Sequence, residues 1–573
     1  PPKAVDELKN VGSYSDSSSA IQQYAYVYKY DTRGNCSRKK LPGCKAVTMA
    51  YDAANRLVLS QNGNQESGNL WTVTKYDALS RVAYTYEFDP LQSPASLIQY
   101  CSTRRFIEER ADKTMEWPGL GYTLQILPPP TTVQFLTVNY YDDYTFLNND
   151  NNHATALAYH AKDGYGEAYT SAKGLLTGKK SYSLETSSYV LTVYYYDEWG
   201  RVVQTRSNDP IGGYNNEYTL YDVAGNIIQS YAEYVPSSTL LSEPISELTQ
   251  NTYDHSGRII SSKLTINGEH ETSVEYEYDK FGRVSRKSRD GGVNYTTYSY
   301  NIQDWITLIE DFDFSQHIYY DSIPGNTGSP YFNGNISALK WQPNPLHYDT
   351  ISSAFSNSIG YIFTYDALNR LTAADSKQGD QLNLPGNYSV QYSYDKQGNI
   401  TELSRYRGTN VLCDELSFDY RGNQLIRVSD EAGSQDSYEL KEYQDQYSGD
   451  NEEFTYDQNG NMISDLDRNI VRISYNTLNL PETIEFSNGN KISHEYLSDG
   501  TKLSTTYSTK LSSIVAPKGT ISPSDIVLNS INKIYYSKNR EYKKLFRSYD
   551  LTRIRNSEGY YNPNQGFRYY TRD

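Results

Sequence analysis

Cysteine is scarce in this chain, with four in all: Cys36, Cys44, Cys101 and Cys413. That excludes a disulfide-built scaffold. Cys36 and Cys44 are near enough, across NCSRKKLPGC, to clip a loop. No CxxC pair or histidine cluster accompanies them, as a zinc site requires, so no metal site is assigned and the redox compartment stays open. Histidine is rare too, with seven and no HExxH arrangement. His153 and His160 fall in NNDNNHATALAYH, which reads as a polar loop and not as a ligand pair. No run approaches the roughly 20 apolar residues of a membrane-spanning helix. Hydrophobic residues make up 37%, against about 45–50% in globular proteins, and this disfavours one large apolar core. Basic residues are outnumbered, 53 to 69, for a net charge of −16. Phosphate contacts need a basic surface, so nucleic-acid binding by the whole chain is disfavoured.

Catalytic signatures are equally thin. G-x-S-x-G is absent. GLLTGKK at 174–180 is one residue short of a phosphate loop and lacks Ser or Thr after the lysine; it reads as a turn between strands. Carboxylates abound, but nothing singles out an acid–base pair. No catalytic residue or cofactor is assigned, and the chain is not read as an enzyme. It opens PPKAV, without Met or a signal peptide, as expected of a piece of a longer polypeptide.

What is abundant is tyrosine, 59 against 15 phenylalanines, in a chain that is 14% aromatic. Disordered chains are poor in aromatics. Tyrosine gives a strand an apolar body and a polar tip, which suits broad sheets with two semi-polar faces. Charge is uneven: from Thr501 onward 13 Lys and Arg face 5 Asp and Glu. A basic tail on an acidic body points to a local partner or to docking on that body.

The organising feature is a phrase, Y-D-x-x-[G/N/S]-[R/N]. It occurs at Tyr30-Asp31 with Gly34, Tyr51-Asp52 with Asn55 and Arg56, Tyr76-Asp77 with Ser80 and Arg81, and Tyr196-Asp197 with Gly200 and Arg201. It returns at Tyr221-Asp222 with Gly225, Tyr253-Asp254 with Gly257 and Arg258, Tyr278-Asp279 with Gly282 and Arg283, and Tyr365-Asp366 with Asn369 and Arg370. Tyr394-Asp395 with Gly398 and Tyr456-Asp457 with Gly460 complete the set, and weaker copies begin at Tyr300, Tyr475 and Tyr496. Neighbouring copies are commonly two strands and two turns apart, too close for a βαβ crossover. Before the phrase, residues alternate: Val274, Tyr276 and Tyr278 on one face, Glu275 and Glu277 on the other. The fifth position calls for φ > 0, which Gly adopts freely and Asn tolerates. Asp at the second position suits an Asx-type turn, and the Arg can pair with it across the turn for about 0–1 kcal/mol. Each phrase is therefore read as the corner of a β-hairpin, with like-placed tyrosines stacking ring on ring along the strip. Asp457, Asn459 and Asn461 imitate the start of a calcium loop, but the glycine falls at the fourth place and no Glu follows at the twelfth; Asp457 is the repeat's own turn residue. The fold class is all-β: a long antiparallel hairpin strip that must curl into a wide barrel or spiral, because sheets twist and exposed edges aggregate.

The phrase resembles the mark of RHS/YD-repeat proteins, whose relatives include the B and C components of insecticidal toxin complexes, polymorphic toxins and teneurins. More narrowly the chain is similar to RHS repeat-containing, polymorphic-toxin-type proteins of Bacteroidetes, through LPGCKAVTMAYDAANRLVLSQNGNQ (41–65), TKYDALSRV (74–82), KGLLTGKK (173–180), YNIQDWIT (300–307), YFNGNISALKW (331–341), FTYDALNRLTAA (363–374) and YNTLNLPETIEF (475–486). The resemblance implies an N-terminal linker over 1–20, a hollow β-shell over 21–505, and a basic segment over 506–573 leading toward a core that is missing. Residues 93–135 interrupt the strip: Ser93 as N-cap and Pro94 at the first helical position mark a helix near 93–112, followed by WPGLGY and Pro128-Pro129-Pro130. The insertion could be a plug, a lid or neither. Similar proteins run on past a YY-x-x-D stretch into a self-cleaving core and a variable effector; this chain stops at YYTRD (569–573). The implied function is encapsulation and delivery of a C-terminal effector absent here. The implied partners are that effector and a secretion apparatus, and the implied location is secreted or cell-surface. The alternative is a surface carbohydrate-binding or adhesion protein, with exposed tyrosines stacking on glycans.

Overall fold

The computed structural model describes residues 5, 9 and 18–569, apart from 112–119, 124–129, 151–152, 238–242, 293, 312–313, 327, 344–357, 409–410, 433–441, 448–451, 510–529 and 546–547. Most of the expected N-terminal linker, WPG of WPGLGY, Pro128 and Pro129, and the last four residues of YYTRD lie outside the described residues. Of the described residues, 54% are in strands and 7% in helices. It falls into two compact units, one of Ser15–Gln250, Leu264–Glu271 and Thr455–Asp573, the other of Pro1–Tyr14, Asn251–Lys263 and Thr272–Phe454.

In the first unit each strand pairs antiparallel with the next one in sequence. The series runs Val27–Tyr30, Cys36–Lys40, Ala46–Tyr51, Leu57–Gln61, Trp71–Tyr76 and Val82–Pro90. Beyond the insertion it resumes at Pro130–Asp142 and continues through Ala172–Tyr182, Tyr189–Tyr196, Val202–Asn208, Tyr214–Tyr221, Ile227–Val235 and Ile245–Tyr253. The register slips next to the phrase tyrosine, as between Ala50 and Tyr51 or Lys75 and Tyr76. Such a bulge bends the strand and raises its twist. The second unit follows the same rule from His270–Tyr278 to Gln424–Asp430, except that Leu371–Gln378 pairs with both Leu384–Pro385 and Val390–Tyr394, and it has slips between Glu277 and Tyr278 and between Ser393 and Tyr394.

Two features of the first unit differ from a single thin strip. Eleven strands from Phe454 to Tyr569 form a separate sheet, running through position 505 into the basic tail without a break in strand order. An apolar core also exists, although the composition disfavours one. The expected helix is Pro94–Ser102, with Ser93 Oγ accepting the Ser96 N–H and Pro94 in the first turn. It buries Leu97 and Cys101, which together with Phe106, Leu120 and Tyr122 cover Trp71, Tyr84, Tyr86, Phe88 and Phe135. Tyrosine makes this core possible: the ring is buried while the hydroxyl finds a carbonyl. Tyr122 Oη donates to Asn139 at 2.6 Å and Tyr140 Oη to Leu120 at 2.9 Å. A satisfied hydroxyl removes the penalty of burying it.

Two local readings are corrected. GLLTGKK lies inside the strand Ala172–Tyr182 and not in a turn; its Gly178 lets the Phe146 ring lie against the strand, where a Cβ would stand 2.4 Å from that ring. NNDNNHATALAYH is partly helical, with a 3-10 turn at Thr145–Asn149 and one α-turn at Ala154–Leu157, because Phe146, Leu147 and Leu157 are drawn into the same core.

Candidate functional site: the turn ladder

The ten phrases share one geometry. In YDKFGR, the Asp279 N–H donates to the Arg283 carbonyl at 2.8 Å and the Gly282 N–H donates back to the Asp279 carbonyl at 3.0 Å. Asp279 Oδ1 accepts the Phe281 and Arg283 N–H groups at 2.9 and 3.0 Å, and Oδ2 accepts Arg283 Nε at 2.7 Å. The paired N–H contacts recur at 2.8–3.0 Å on Asp31, Asp52, Asp77, Asp197, Asp222, Asp254, Asp366, Asp395 and Asp457. The fifth residue has positive φ in every copy: +83° to +94° at Gly34, Gly225, Gly282, Gly398 and Gly460, +77° at Gly200 and Gly257, and +59° to +63° at Asn55, Ser80 and Asn369. A carboxylate held by several donors is easier to ionise. Thus the Arg258 hydrogen bond brings Asp254 down to about 2, and Asn35 and Asn226 lower Asp31 and Asp222. The weaker copies keep the turn with other groups: Asn301 and Asn476 replace the aspartate, and at Tyr496 the Gly500 backbone closes the turn.

What the six letters do not disclose is that the turns are joined to each other. The phrase tyrosine donates its hydroxyl to the carbonyl just after the preceding phrase. Tyr51 bonds Cys36, Tyr76 bonds Leu57, Tyr221 bonds Val202, Tyr278 bonds Ile259 and Tyr394 bonds Leu371, all at 2.6–3.1 Å. The arginine of one phrase then lies over the tyrosine of the next: Arg56 on Tyr76, Arg201 on Tyr221, Arg258 on Tyr278 and Arg370 on Tyr394, at 4.4–4.9 Å from the ring centroids. Where ring on ring is expected, these steps place a guanidinium on the ring, a contact of about 0.5–1 kcal/mol at exposed sites. Arg201, Arg283 and Arg370 also reach the carbonyl of the next turn's second residue. At Asn35 and Asn461 an amide does this work: Asn35 donates to Asn55 Oδ1 at 3.1 Å, and Asn461 to Asn479 Oδ1 at 2.9 Å. The sixth position is thus the link between repeats as well as a partner for its own Asp. Tyr30, Tyr196, Tyr253, Tyr365 and Tyr456 end their strands in the same way.

Other candidates are not gathered into sites. Cys36 and Cys44 are free thiols, not joined in a disulfide. His153 faces the Tyr214 hydroxyl, while the His160 N–H bonds Gln204. Asp457 uses its carboxylate on Asn459, Asn461 and Asn64.

Contacts between distant parts of the first unit are invisible in the sequence. The Lys45 N–H donates to the Gln458 carbonyl at 2.8 Å, and Asn64 Nδ2 to Asp457 Oδ2 at 2.8 Å. Ser183 bridges Leu497. The basic tail meets acidic and amide groups: Lys538 pairs with Glu217, Asn539 donates to Glu247 at 3.0 Å, Arg540 bonds Asn215 and Ser537 bonds Asp209. Tyr542, Ile554 and Tyr561 pack with Ile211, Tyr234, Ile245 and Ile266 beneath them.

No family model matches the chain, and no curated protein does. Solved structures do. The chain is similar to the crystal structure of TcdB2-TccC3-Cdc42, with 12% identity and a TM-score of 0.57 over 95% of this chain and 22% of that one. It is similar also to those of TcdB2-TccC3-TEV, 12% identical with a TM-score of 0.55, and TcdB2-TccC3, 13% identical with a TM-score of 0.55; each match covers 92% of this chain and 22% of the other. The chain therefore spans about a fifth of the length of the structures it matches, and what it shares with them is the fold. That fold is the RHS-repeat shell.

Proposed function

We propose that this chain is wall material of an RHS-type shell that encloses a polypeptide effector, carried C-terminally by the longer protein, and helps deliver it outside the cell through a secretion apparatus. The observation that carries the reading is the turn ladder: within each unit hairpin follows hairpin in sequence order, and neighbouring corners are fastened by Arg–Tyr links at Arg56, Arg201, Arg258 and Arg370 and by Asn–Asn links at Asn35 and Asn461. Such an edge repeats one local interaction without limit and builds area instead of a catalytic cleft. No catalytic residue, cofactor or metal is assigned. No helix among the described residues is long and apolar enough to cross a membrane. The test is limited proteolysis of the polypeptide with its natural C-terminal continuation. The continuation should survive protease that cuts an appended tag, and become sensitive when the shell is opened by denaturant. A continuation digested as quickly as the tag ends the proposal.

One observation favours a second reading, carbohydrate binding at a cell surface. Trp199 and Phe281, at the tips of two turns, are 71% and 83% exposed, and each ring has its own turn's arginine near one face. Exposed rings of this kind can stack on sugars. Saturable binding on a glycan array that disappears in Trp199→Ala or Phe281→Ala would favour it; a blank array removes it.

A further inference from the structure

The core of the first unit encloses an ion pair for which the turn ladder has no use. Lys180 Nζ, on the strand Ala172–Tyr182, lies 3.2 Å from Asp150 Oδ2, with the two side chains 3% and 1% exposed. Asp150 follows the 3-10 turn Thr145–Asn149, and its backbone is fixed by Leu147, His153 and Ala154. Neighbouring Phe146, Leu147 and Leu157 belong to the buried apolar cluster. The Tyr189 hydroxyl donates to Asp150 Oδ2 at 2.8 Å, and the Lys180 amine sits 4.4 Å from the Tyr189 ring centroid. The other carboxyl oxygen, Oδ1, is buried without a hydrogen-bond partner. Buried carboxylate oxygens are normally satisfied, and an orphan needs an explanation.

Removing both charges from water is costly unless every polar atom is compensated. Burial pushes the Lys180 amine below its ordinary range, which favours the neutral amine. The neutral amine is the nucleophilic form, and it lies against a buried carboxyl group. We propose that Lys180 and Asp150 condense into an intramolecular isopeptide bond.

In this step Lys180 Nζ adds to Asp150 Cγ. Negative charge develops on Oδ2, where the Tyr189 hydroxyl is already placed as an oxyanion donor. Oδ1 leaves as water, taking two of the three protons of the Lys180 ammonium group. Oδ2 remains as the amide oxygen on Tyr189. One C–N bond forms, one C–O bond breaks, and nothing is oxidised or reduced. The orphan oxygen is the one the reaction removes. The product ties the 3-10 turn Thr145–Asn149 covalently to the strand Ala172–Tyr182.

The experiment is the denatured intact mass of the purified chain, followed by tryptic mapping. The chain should be one water lighter than its sequence, with no cleavage after Lys180 and a branched peptide joining Lys180 to Asp150. Lys180→Arg should restore the full sequence mass. Asp150→Asn should form the same bond with loss of ammonia, and Tyr189→Phe should give a smaller cross-linked fraction. The wild-type mass is decisive whether or not the variants fold. A full-mass wild-type chain that trypsin cuts after Lys180 overturns the proposal, as does a Lys180→Arg chain still lighter by one water.

Discussion

Gly63 offers a sharp test of how the first unit holds together. It opens the short helix Gly63–Ser67 and lies against the turn at 457–461. A Cβ on it would stand 2.8 Å from the Gln458 carbonyl oxygen, 2.8 Å from Lys45 Cβ and 3.0 Å from Gln458 Cβ. The carbonyl cannot simply swing aside, because it accepts the Lys45 N–H at 2.8 Å. Gly63→Ala must therefore part the two segments. Overpacking of this kind costs about 1–3 kcal/mol. Weakening the Lys45–Gln458 and Asn64–Asp457 hydrogen bonds adds about 0.5–1.5 kcal/mol each, for a total of roughly 2–6 kcal/mol. Gly68, at the other end of the same helix, is the control: its φ is −99° and its nearest heavy atoms would stand at 3.8–3.9 Å. Gly68→Ala should change stability by no more than about 0.5–1 kcal/mol. A chain of this size need not unfold in one step, so the assay is amide hydrogen exchange at Lys45, Asn64 and residues 458–461. Gly63→Ala should speed exchange there on the order of 100-fold, at about 1.4 kcal/mol per tenfold. Equal exchange at the Lys45 amide in the two variants would refute the close-approach argument.

Other outcomes follow from the ladder and the core. Gly282→Val, at φ +87°, should cost its hairpin about 1–2 kcal/mol while Lys280→Ala stays near zero; comparable exchange in the two would mean that the fifth position does not govern the turn. Arg283→Met removes links to Asp279, the Asn301 carbonyl and the Tyr300 ring. It should loosen the Asn294–Tyr300 amides along with its own turn by about 1–2 kcal/mol, and a response confined to 279–283 would deny it the linking role. Leu97→Ala empties a fully buried site and should cost about 2–5 kcal/mol, read as a lower denaturant midpoint for the first unit; an unchanged midpoint would show that the insertion does not seal the core. Asp254, at about 2 when folded, sits below its unfolded value of about 3.9. Its stabilising effect is therefore complete above that value and lost as pH falls from about 4 through 2. Amides 256 and 258 should lose protection in that window, and constant protection down to pH 2 would count against the hydrogen-bonded turn.

Hairpin corners are short-range objects, and the sequence alone determines them. Asp at the second place, a left-handed residue at the fifth and alternating strands around them suffice, because every bond in the corner lies within five residues. The helix start at Ser93-Pro94 is local in the same sense. The partners of those corners are not local. Arg201 reaches Tyr221 only because bulged strands stack their corners in register, and Asn35 needs Asn55 at the matching place one repeat on. GLLTGKK was misleading because Gly178 answers to the ring of Phe146, a residue far from it in sequence. Tertiary structure alone decided that the insertion seals a core over Trp71 and Tyr84, that Gln458 returns to Lys45, and that the basic tail settles on Glu217 and Glu247. Loop closure over hundreds of residues leaves no periodic mark in the sequence, since its free energy depends on where strands curve and not on which residues are adjacent.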